Sequence, residues 1–183
     1  MNKITIASFD GVYGPAEDSW LMVDYLPELK GTILEIGCGT GIISIHLAHK
    51  GAQVTAIDLN PKAVKATQFN SKNNGVEIEI LEGNMFTPVE NRKFRTIICN
   101  PPYLPPSEQE YEDSELVLAV EGGPTGTEFI SSLLSQASEY LEADGSIYLI
   151  TSSIMKDLKT NWNYEMIHQI KFFFERLNLG RFY

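Results

Sequence analysis

The sequence has few of the features that define several large classes of protein. It contains two cysteines among 183 residues, Cys38 and Cys99, and no CxxC pair, which argues against a disulfide framework or a structural zinc site. Its three histidines form no metal-binding constellation, so we expect no metal. No apolar run reaches the roughly 18–20 residues of a membrane span, and the N-terminus lacks the apolar core of a signal peptide. These absences favour a cytoplasmic protein.

Basic residues are also scarce. Lysine and arginine number 14 against 24 aspartates and glutamates, which leaves a formal net charge of −10. A surface of this sign repels phosphate backbones, so nucleic acid is an unfavourable substrate, whereas a basic protein partner would be attracted. The hydrophobic fraction of 43% suits one globular domain with a sizeable core.

From residue 30 onward, short apolar runs alternate with helical segments. This alternation predicts an α/β fold, a parallel sheet with helices on both faces. The run VEIEIL alternates cleanly and predicts a half-exposed edge strand. The predicted strands are 32–36, 53–58, 76–81, 96–99 and 146–151, and the predicted helices are 42–51, 61–74 and 127–141.

The two ends of the chain are less regular. The segment MNKITIASFD shows strand-like alternation, and Pro15 with Glu17 and Asp18 predicts the start of a helix, because acidic residues favour the positive end of the helix dipole. The tail from residue 164 favours two strands with a bulge or turn, although its part HQIKFFFERL also fits a helix.

The segment EIGCGTG places Gly37, Gly39 and Gly41 between a predicted strand and a predicted helix. Glycines permit a tight turn and let a cofactor approach the backbone, and the third leaves space where the helix meets the strand. The spacing is GxGxG, not the GxGxxG of dinucleotide folds. Asp58, which ends the next strand, can accept two hydrogen bonds from a ribose diol. Asn84, after the third strand, can present its amide to an adenine edge.

Acidic residues near this loop indicate which cofactor it holds. A dehydrogenase needs a pyrophosphate cradle at the helix N-terminus, whereas S-adenosylmethionine has no phosphate and carries a sulfonium and an ammonium cation. Glu35, Glu17 and Asp18 suit those positive charges, so S-adenosylmethionine is favoured over NAD. For Glu17 and Asp18, a role limited to the first turn of a helix is equally open.

The motif NPPY, residues 100–103, follows the fourth predicted strand. Open α/β sheets bind ligands outside the carboxyl ends of their strands, so this motif and the glycine loop face one crevice if the strand order reverses between strands one and four. The side-chain carbonyl of Asn100 and the backbone carbonyl of Pro101 can each accept one hydrogen from an NH2 group, which orients its nitrogen for methyl transfer. Pro101 and Pro102 hold these carbonyls rigidly, and Tyr103 can stack on a planar amide or base. The alternative is a rigid proline turn without chemistry.

These motifs resemble those of a known family. EIGCGTG with Asp58 and NPPY is similar to class I S-adenosylmethionine-dependent methyltransferases that modify a planar NH2 nitrogen. VYGPAEDS and EGGPTGTEFI resemble the archaeal and eukaryotic HemK-like glutamine methyltransferases. The resemblance implies one Rossmann-like domain over 1–183, with a mostly parallel seven-stranded sheet of order 3-2-1-4-5-7-6. Residues 1–29 would form a hairpin or helix that covers the cofactor, and residues 30–183 would form the core, without the extra helical domain of the bacterial branch.

The resemblance also implies a substrate and a set of site residues. The substrate would be the glutamine of the GGQ motif in a class I release factor, methylated on its side-chain nitrogen. The acceptor would be bound by Asn100, Pro101, Pro102 and Tyr103, with Asn100, Pro101 and Tyr103 catalytic. The cofactor would be bound by Ser19, Glu35, Gly37, Gly39, Gly41, Asp58, Leu59, Asn84, Met85 and Asn100.

Partners and rival functions follow from the same comparison. The eukaryotic relatives pair with a small zinc-binding activator subunit through an edge strand, and residues 76–81 are the candidate here. An N6-adenine methyltransferase acting on DNA or RNA would use the same NPPY clamp, and a non-catalytic cofactor-binding scaffold is a third reading. Net acidity favours a protein substrate. The acidic segment 105–115 is either a solvated loop or a lid that attracts a basic release-factor surface.

Overall fold

The computed structural model describes residues 4–106, 117, 119–172 and 174–183. Its helices include α1 (Glu17–Tyr25), α2 (Ile42–His49), α3 (Pro61–Asn73) and α4 (Glu128–Ala137), with a short 3-10 helix at Thr87–Val89. Its strands are β1 (Thr32–Ile36), β2 (Gln53–Asp58), β3 (Glu79–Glu82), β4 (Phe94–Cys99), β5 (Leu141–Ser152), β6 (Tyr164–Phe172) and β7 (Glu175–Phe182).

The seven strands form one sheet in the order β3-β2-β1-β4-β5-β7-β6, which confirms the order implied by the resemblance. Pairs within β3-β2-β1-β4-β5 are parallel, and β7 is antiparallel to both β5 and β6. The strand order reverses between β1 and β4. Ligand sites of open α/β sheets lie at such a reversal.

Each face of the sheet carries its own core because successive strand residues point to opposite faces. Ile97 packs in a cluster with Leu133 of α4, and its neighbour Ile98 packs in a second cluster with Leu47 of α2. Both isoleucines are fully buried. The continuous apolar runs of the central strands therefore serve a sheet that is covered on both faces.

Several predicted boundaries are wrong. The strand expected at 76–81 begins only at Glu79, because the N–H of Val76 donates to the carbonyl of Ser71 (3.1 Å) and holds the chain against the end of α3. Its position at the sheet edge is confirmed. Helix α4 stops at Ala137, not at 141, since Tyr140 turns back to stack on Phe86 with ring centroids 4.3 Å apart. Strand β5 correspondingly begins at residue 141, before the predicted 146.

The structure confirms the expected strands at the C-terminal end of the chain, whereas the N-terminal segment contains a helix and no strand in its described part. The tail forms two antiparallel strands with a register shift between Met166 and His168, so the strand interpretation is confirmed and the helix excluded. Of the hairpin or helix expected over 1–29, the described part contains α1 but no strand, and residues 4–9 run along α3. Residues 107–115 of the acidic segment lie outside the described residues. None of the helices in the described part is long and apolar enough to cross a membrane.

Candidate active site

A cavity of 340 Å³ lies at the carboxyl ends of the central strands. Its floor includes Ile36 at the end of β1, Asp58 at the end of β2 and Cys99 at the end of β4. The volume falls in the range of about 300–1,000 Å³ that small-molecule sites occupy. The crevice predicted between the glycine loop and NPPY is therefore present.

Most of the predicted site residues line this cavity, and three do not. Gly41, Pro101 and Tyr103 lie outside its walls. The predicted residues that line it are Ser19, Glu35, Gly37, Gly39, Asp58, Leu59, Asn84, Met85, Asn100 and Pro102.

The glycine loop follows the backbone that its sequence requires. Gly37, Gly39 and Gly41 all have positive φ, between 54° and 85°, a region that favours glycine. A Cβ on Gly41 would lie 2.8 Å from Cγ2 of Thr67. The space left by the third glycine is therefore occupied by Thr67 of α3.

Asp58 ties the glycine loop to the start of α3. Its Oδ2 accepts the N–H of Gly39 (2.9 Å) and its Oδ1 accepts the N–H of Asn60 (2.9 Å). Burial raises the pKa of Asp58, and these backbone N–H bonds oppose that rise. Because each carboxylate oxygen has a further lone pair, the fixed carboxylate can still accept from a diol in the cavity.

Glu35 lies inside β1 and is 1% exposed, yet its carboxyl borders the cavity. The hydroxyl of Ser44 donates to this carboxyl. Burial raises the pKa of Glu35 to about 8, so a ligand cation beside it would favour the ionised form. Glu17, by contrast, is exposed and does not line the cavity, so the structure gives it no contact with a ligand there.

Asp18 is buried behind the cavity wall. Its Oδ2 accepts hydrogen bonds from the hydroxyls of Tyr13 (3.1 Å) and Tyr103 (3.3 Å), and its Oδ1 accepts from the hydroxyl of Ser19 (3.1 Å). Burial, reinforced by the nearby Asp18 charge, raises the pKa of both tyrosines well above the usual range. This carboxylate thus holds parts of α1, the N-terminal segment and NPPY together, and it does not line the cavity.

The amide of Asn100 carries an unpaired acceptor. Its Oδ1 is buried and has no hydrogen-bond partner among the residues that the structure describes, and Asn100 borders the cavity. A buried acceptor without a partner costs about 1–3 kcal/mol, and natural proteins rarely leave one without a function. The oxygen is therefore available to a donor that enters with a substrate.

The segment after NPPY braces that loop from behind. The N–H of Leu104 donates to the carbonyl of Val120, and the N–H of Gly122 donates to the carbonyl of Leu104, both at 2.9 Å. A Cβ on Gly122 would lie 2.5 Å from the carbonyl oxygen of Pro102. Only glycine permits this approach, which explains one position of the EGGPTG segment in physical terms.

Sequence reasoning missed several residues of the cavity. Val12 and Tyr13 form one wall, and Phe129 at the start of α4 forms part of another. These residues lie inside the segments VYGPAEDS and EGGPTGTEFI, which were read only as family signals. Met85, which was predicted, has a φ of 47°, and such strain in a bulky residue is typical of ligand sites.

A seven-stranded sheet of this order, with a glycine loop after β1 and an acid ending β2, defines the Rossmann-like methyltransferase class. The chain belongs to the methyltransferase small domain family, which it matches over residues 3–160, and to the HemK-like branch of that family. The resemblance drawn from the sequence is therefore confirmed.

Relatives in this branch differ in how much of their length the chain spans. It is 42% identical over 151 residues to a protein of Methanocaldococcus jannaschii provisionally named as a protein N5-glutamine methyltransferase, covering 81% of this chain and 76% of that one. It is 33% identical over 123 residues to the release factor glutamine methyltransferase of Geobacter sulfurreducens, covering 62% and 42%. The chain spans between 42% and 60% of the length of the bacterial release factor glutamine methyltransferases that it matches here.

Solved structures confirm the fold. A methyltransferase from Pyrococcus furiosus aligns with a TM-score of 0.68 at 20% identity, covering 97% of this chain and 87% of that one. The 16S rRNA N2 G1207 methyltransferase of T. thermophilus, solved with AdoMet and guanosine, aligns with a TM-score of 0.69 at 18% identity, covering 91% and 43%.

Proposed function

We propose that this protein transfers a methyl group from S-adenosylmethionine to a side-chain amide nitrogen, and that its substrate is the GGQ glutamine of a class I release factor. The observation that carries the proposal is the buried, unpaired Oδ1 of Asn100 at the edge of the cavity. Relatives named as release factor glutamine methyltransferases support the choice of acceptor.

The residues around the cavity fit S-adenosylmethionine. The carboxylate of Asp58 suits the ribose diol, and the buried carboxyl of Glu35 suits an ammonium cation. Asn84 and Met85 would border the adenine, and Ser19 would lie on the side of the N-terminal segment. When bound, this cofactor supplies a methyl group on a positively charged sulfur.

Asn100 would act on the nucleophile. The nitrogen of an amide is a weak nucleophile because its lone pair is delocalised into the carbonyl group. Acceptance of one N–H by Asn100 Oδ1 would orient the NH2 group and stabilise the positive charge that develops on it. The family resemblance assigns the other N–H to the carbonyl of Pro101, a residue that lies outside the cavity walls. The nitrogen can release its proton after methylation, so this scheme requires no general base.

The partners follow from this substrate. The net charge of −10 would attract a basic face of a release factor, and a translation factor as substrate would place the activity in the cytoplasm. A small zinc-binding activator subunit would add to the edge strand β3, just after residues 76–78, which lie outside the sheet. Isolation of a monodisperse, active chain without a partner would argue against such a subunit.

The deciding experiment offers radiolabelled S-adenosylmethionine to four separate acceptors: a release factor, its GGQ→GGA variant, small-subunit rRNA and adenine-containing DNA. We expect label only in the intact release factor. Equal labelling of the GGA variant would overturn the glutamine assignment. Labelling of nucleic acid alone would establish the rival nucleobase reaction, which relatives named ribosomal RNA small subunit methyltransferase C make worth testing.

A further inference from the structure

Helix α3 presents two asparagine side chains to the N-terminal segment. Oδ1 of Asn74, the residue after α3, accepts the N–H of Thr5 (3.0 Å), and its Nδ2 donates to the carbonyl of Thr5 (2.8 Å). One turn earlier, Oδ1 of Asn70 accepts the N–H of Ala7 (2.9 Å), and its Nδ2 donates to the carbonyl of Ala7 (3.2 Å). Each amide thus makes the pair of hydrogen bonds that an adjacent strand would make.

The spacing of the two asparagines matches an extended chain. Four residues of helix advance about 6 Å, and two residues of strand advance about 6.6 Å. Residues two apart in an extended chain also turn their hydrogen-bonding groups to the same side. Asn74 and Asn70 can therefore hold Thr5 and Ala7 at once, with the segment antiparallel to the helix.

The contact continues along the rest of α3. The ring of Phe9 packs edge-on against Phe69, with centroids 5.6 Å apart. Nδ2 of Asn60, the N-cap of the helix, donates to the carbonyl of Gly11 (2.8 Å). Residues 4–13, here called the strap, are thus anchored from the last turn of α3 to its first.

The strap ends in the cavity wall. Gly11, Val12 and Tyr13 border the cavity directly. Asn70 also donates from Nδ2 to the carbonyl of Thr40 in the glycine loop (2.9 Å), so one side chain contacts both the strap and the opposite wall. The anchors at Thr5 and Ala7 therefore extend those at Gly11 and Tyr13, which hold the wall directly.

We infer that Asn70 and Asn74 are positioning residues that hold the strap closed over the cofactor, and that release of these two amides limits how fast cofactor and its demethylated product leave. The inference rests on the proposed function, which assigns the ligand of the cavity. The bonds at Thr5 are exposed, and exposed hydrogen bonds outside a sheet open locally at low cost. The strap can thus begin to open at Thr5 without unfolding the sheet, and the part-buried bonds at Ala7 would open after it.

The test changes Asn74, because Asn70 is fully buried and its loss could disturb the whole fold. Asn74→Ala removes both bonds to Thr5 and a third bond, from Nδ2 of Asn74 to the carbonyl of Asn70 (2.7 Å). Asn74→Asp keeps an acceptor for the Thr5 N–H but places a carboxylate oxygen against the Thr5 carbonyl. Asn73→Ala is the matched control, an exposed asparagine one position earlier on the same helix.

Two measurements are made on each full-length variant: hydrogen exchange of the Thr5 amide without ligand, and the dissociation rate of S-adenosylhomocysteine. We expect both rates to rise about tenfold in Asn74→Ala, as loss of the two bonds that reach the strap implies, and to rise in Asn74→Asp. In both Asn74 variants the KM for the cofactor should rise while the KM for the acceptor protein stays unchanged. In the control Asn73→Ala, the exchange rate, the dissociation rate and both KM values should match those of wild type.

Each other outcome overturns a specific statement. Faster exchange at Thr5 with unchanged ligand release would make the strap structural only. Unchanged exchange would refute the asparagine contact itself. A wild-type chain that binds neither S-adenosylmethionine nor S-adenosylhomocysteine would refute the proposed function, which the exchange measurement does not test.

Discussion

The hydroxyl of Tyr103 donates a 3.3 Å hydrogen bond to the buried carboxylate of Asp18, which lies 85 positions earlier in the chain. The same carboxylate oxygen accepts the hydroxyl of Tyr13. One buried side chain therefore connects the NPPY loop, where the acceptor amide would lie, with the strap that walls the cofactor cavity. Asp18 positions both parts of the site without bordering the cavity.

Replacement of Asp18 by alanine should destabilise the fold. The change leaves the hydroxyls of Tyr13, Tyr103 and Ser19 without their acceptor, and we expect a loss of about 2–4 kcal/mol in the free energy of unfolding. Urea denaturation measures this loss. The control is Glu17→Ala, which alters the exposed acid next to it and should change stability by less than about 0.5 kcal/mol. Equal effects of the two substitutions would contradict the role assigned to Asp18.

Replacement of Asn100 by alanine separates catalysis from cofactor binding. Loss of the Oδ1 acceptor should lower turnover at least about a hundredfold, as removal of a single oriented group does at other active sites, while much of the affinity for S-adenosylhomocysteine remains. Steady-state assays and calorimetry measure the two quantities. Asn161→Ala, at an exposed position outside the cavity, should match wild type.

An Asn100→Ala enzyme with unaltered turnover would refute the acceptor clamp. If wild type binds the cofactor but methylates none of the offered acceptors, the non-catalytic scaffold would become the better description.

Local patterns predicted the parts of the fold that depend on neighbours in sequence. The glycine loop, the start of α3 at Pro61 and the end of β2 at Asp58 are all encoded within a few residues of where they act. A buried strand such as TILEI is likewise contained within five consecutive residues. The sheet order was obtained differently, from motifs whose arrangement is shared across a family.

Long-range contacts between side chain and backbone were not predictable in this way. The asparagine at 74 contacts Thr5 across 69 positions, and no periodic signal marks such a pair, so the strap resembled a strand. The start of β3 was predicted three residues too early for a similar reason, because the N–H of Val76 bonds to the end of α3 and not to the sheet. Tertiary hydrogen bonds overrode local alternation at both places.

The buried carboxyl of Glu35 predicts a pH dependence of stability. Its pKa is raised to about 8 in the folded chain from the ordinary value of 4.5, so the folded state binds the proton more tightly than the unfolded state. Stability should therefore fall as pH rises between about 5 and 8 and level off above that range.

The variant Glu35→Gln tests this prediction, because it keeps an acceptor for the Ser44 hydroxyl and removes the titration of the side chain. Unfolding free energies of the two proteins at matched pH measure the difference, which should grow in favour of the glutamine variant. A constant difference across the range would contradict a raised pKa.

Gly41 offers a direct test of the packing between the glycine loop and α3. Alanine there would carry a positive φ of 85° and place its Cβ 2.8 Å from Cγ2 of Thr67, so we expect a loss of about 2–4 kcal/mol in unfolding free energy, from backbone strain and the close contact together. Gly51→Ala is the matched control, because φ there is 90° and none of the described residues lies within 4 Å of the added Cβ. Only the backbone cost of about 1–2 kcal/mol should remain at that position.

A second substitution separates the close contact from the backbone strain. Thr67→Ser removes Cγ2 and keeps the hydroxyl bonded to Gly39, so it should recover part of the Gly41→Ala loss and none of the Gly51→Ala loss. Thermal or urea unfolding of the single and double variants measures the coupling. Strict additivity at Gly41 and Thr67 would show that the contact does not determine the preference for glycine.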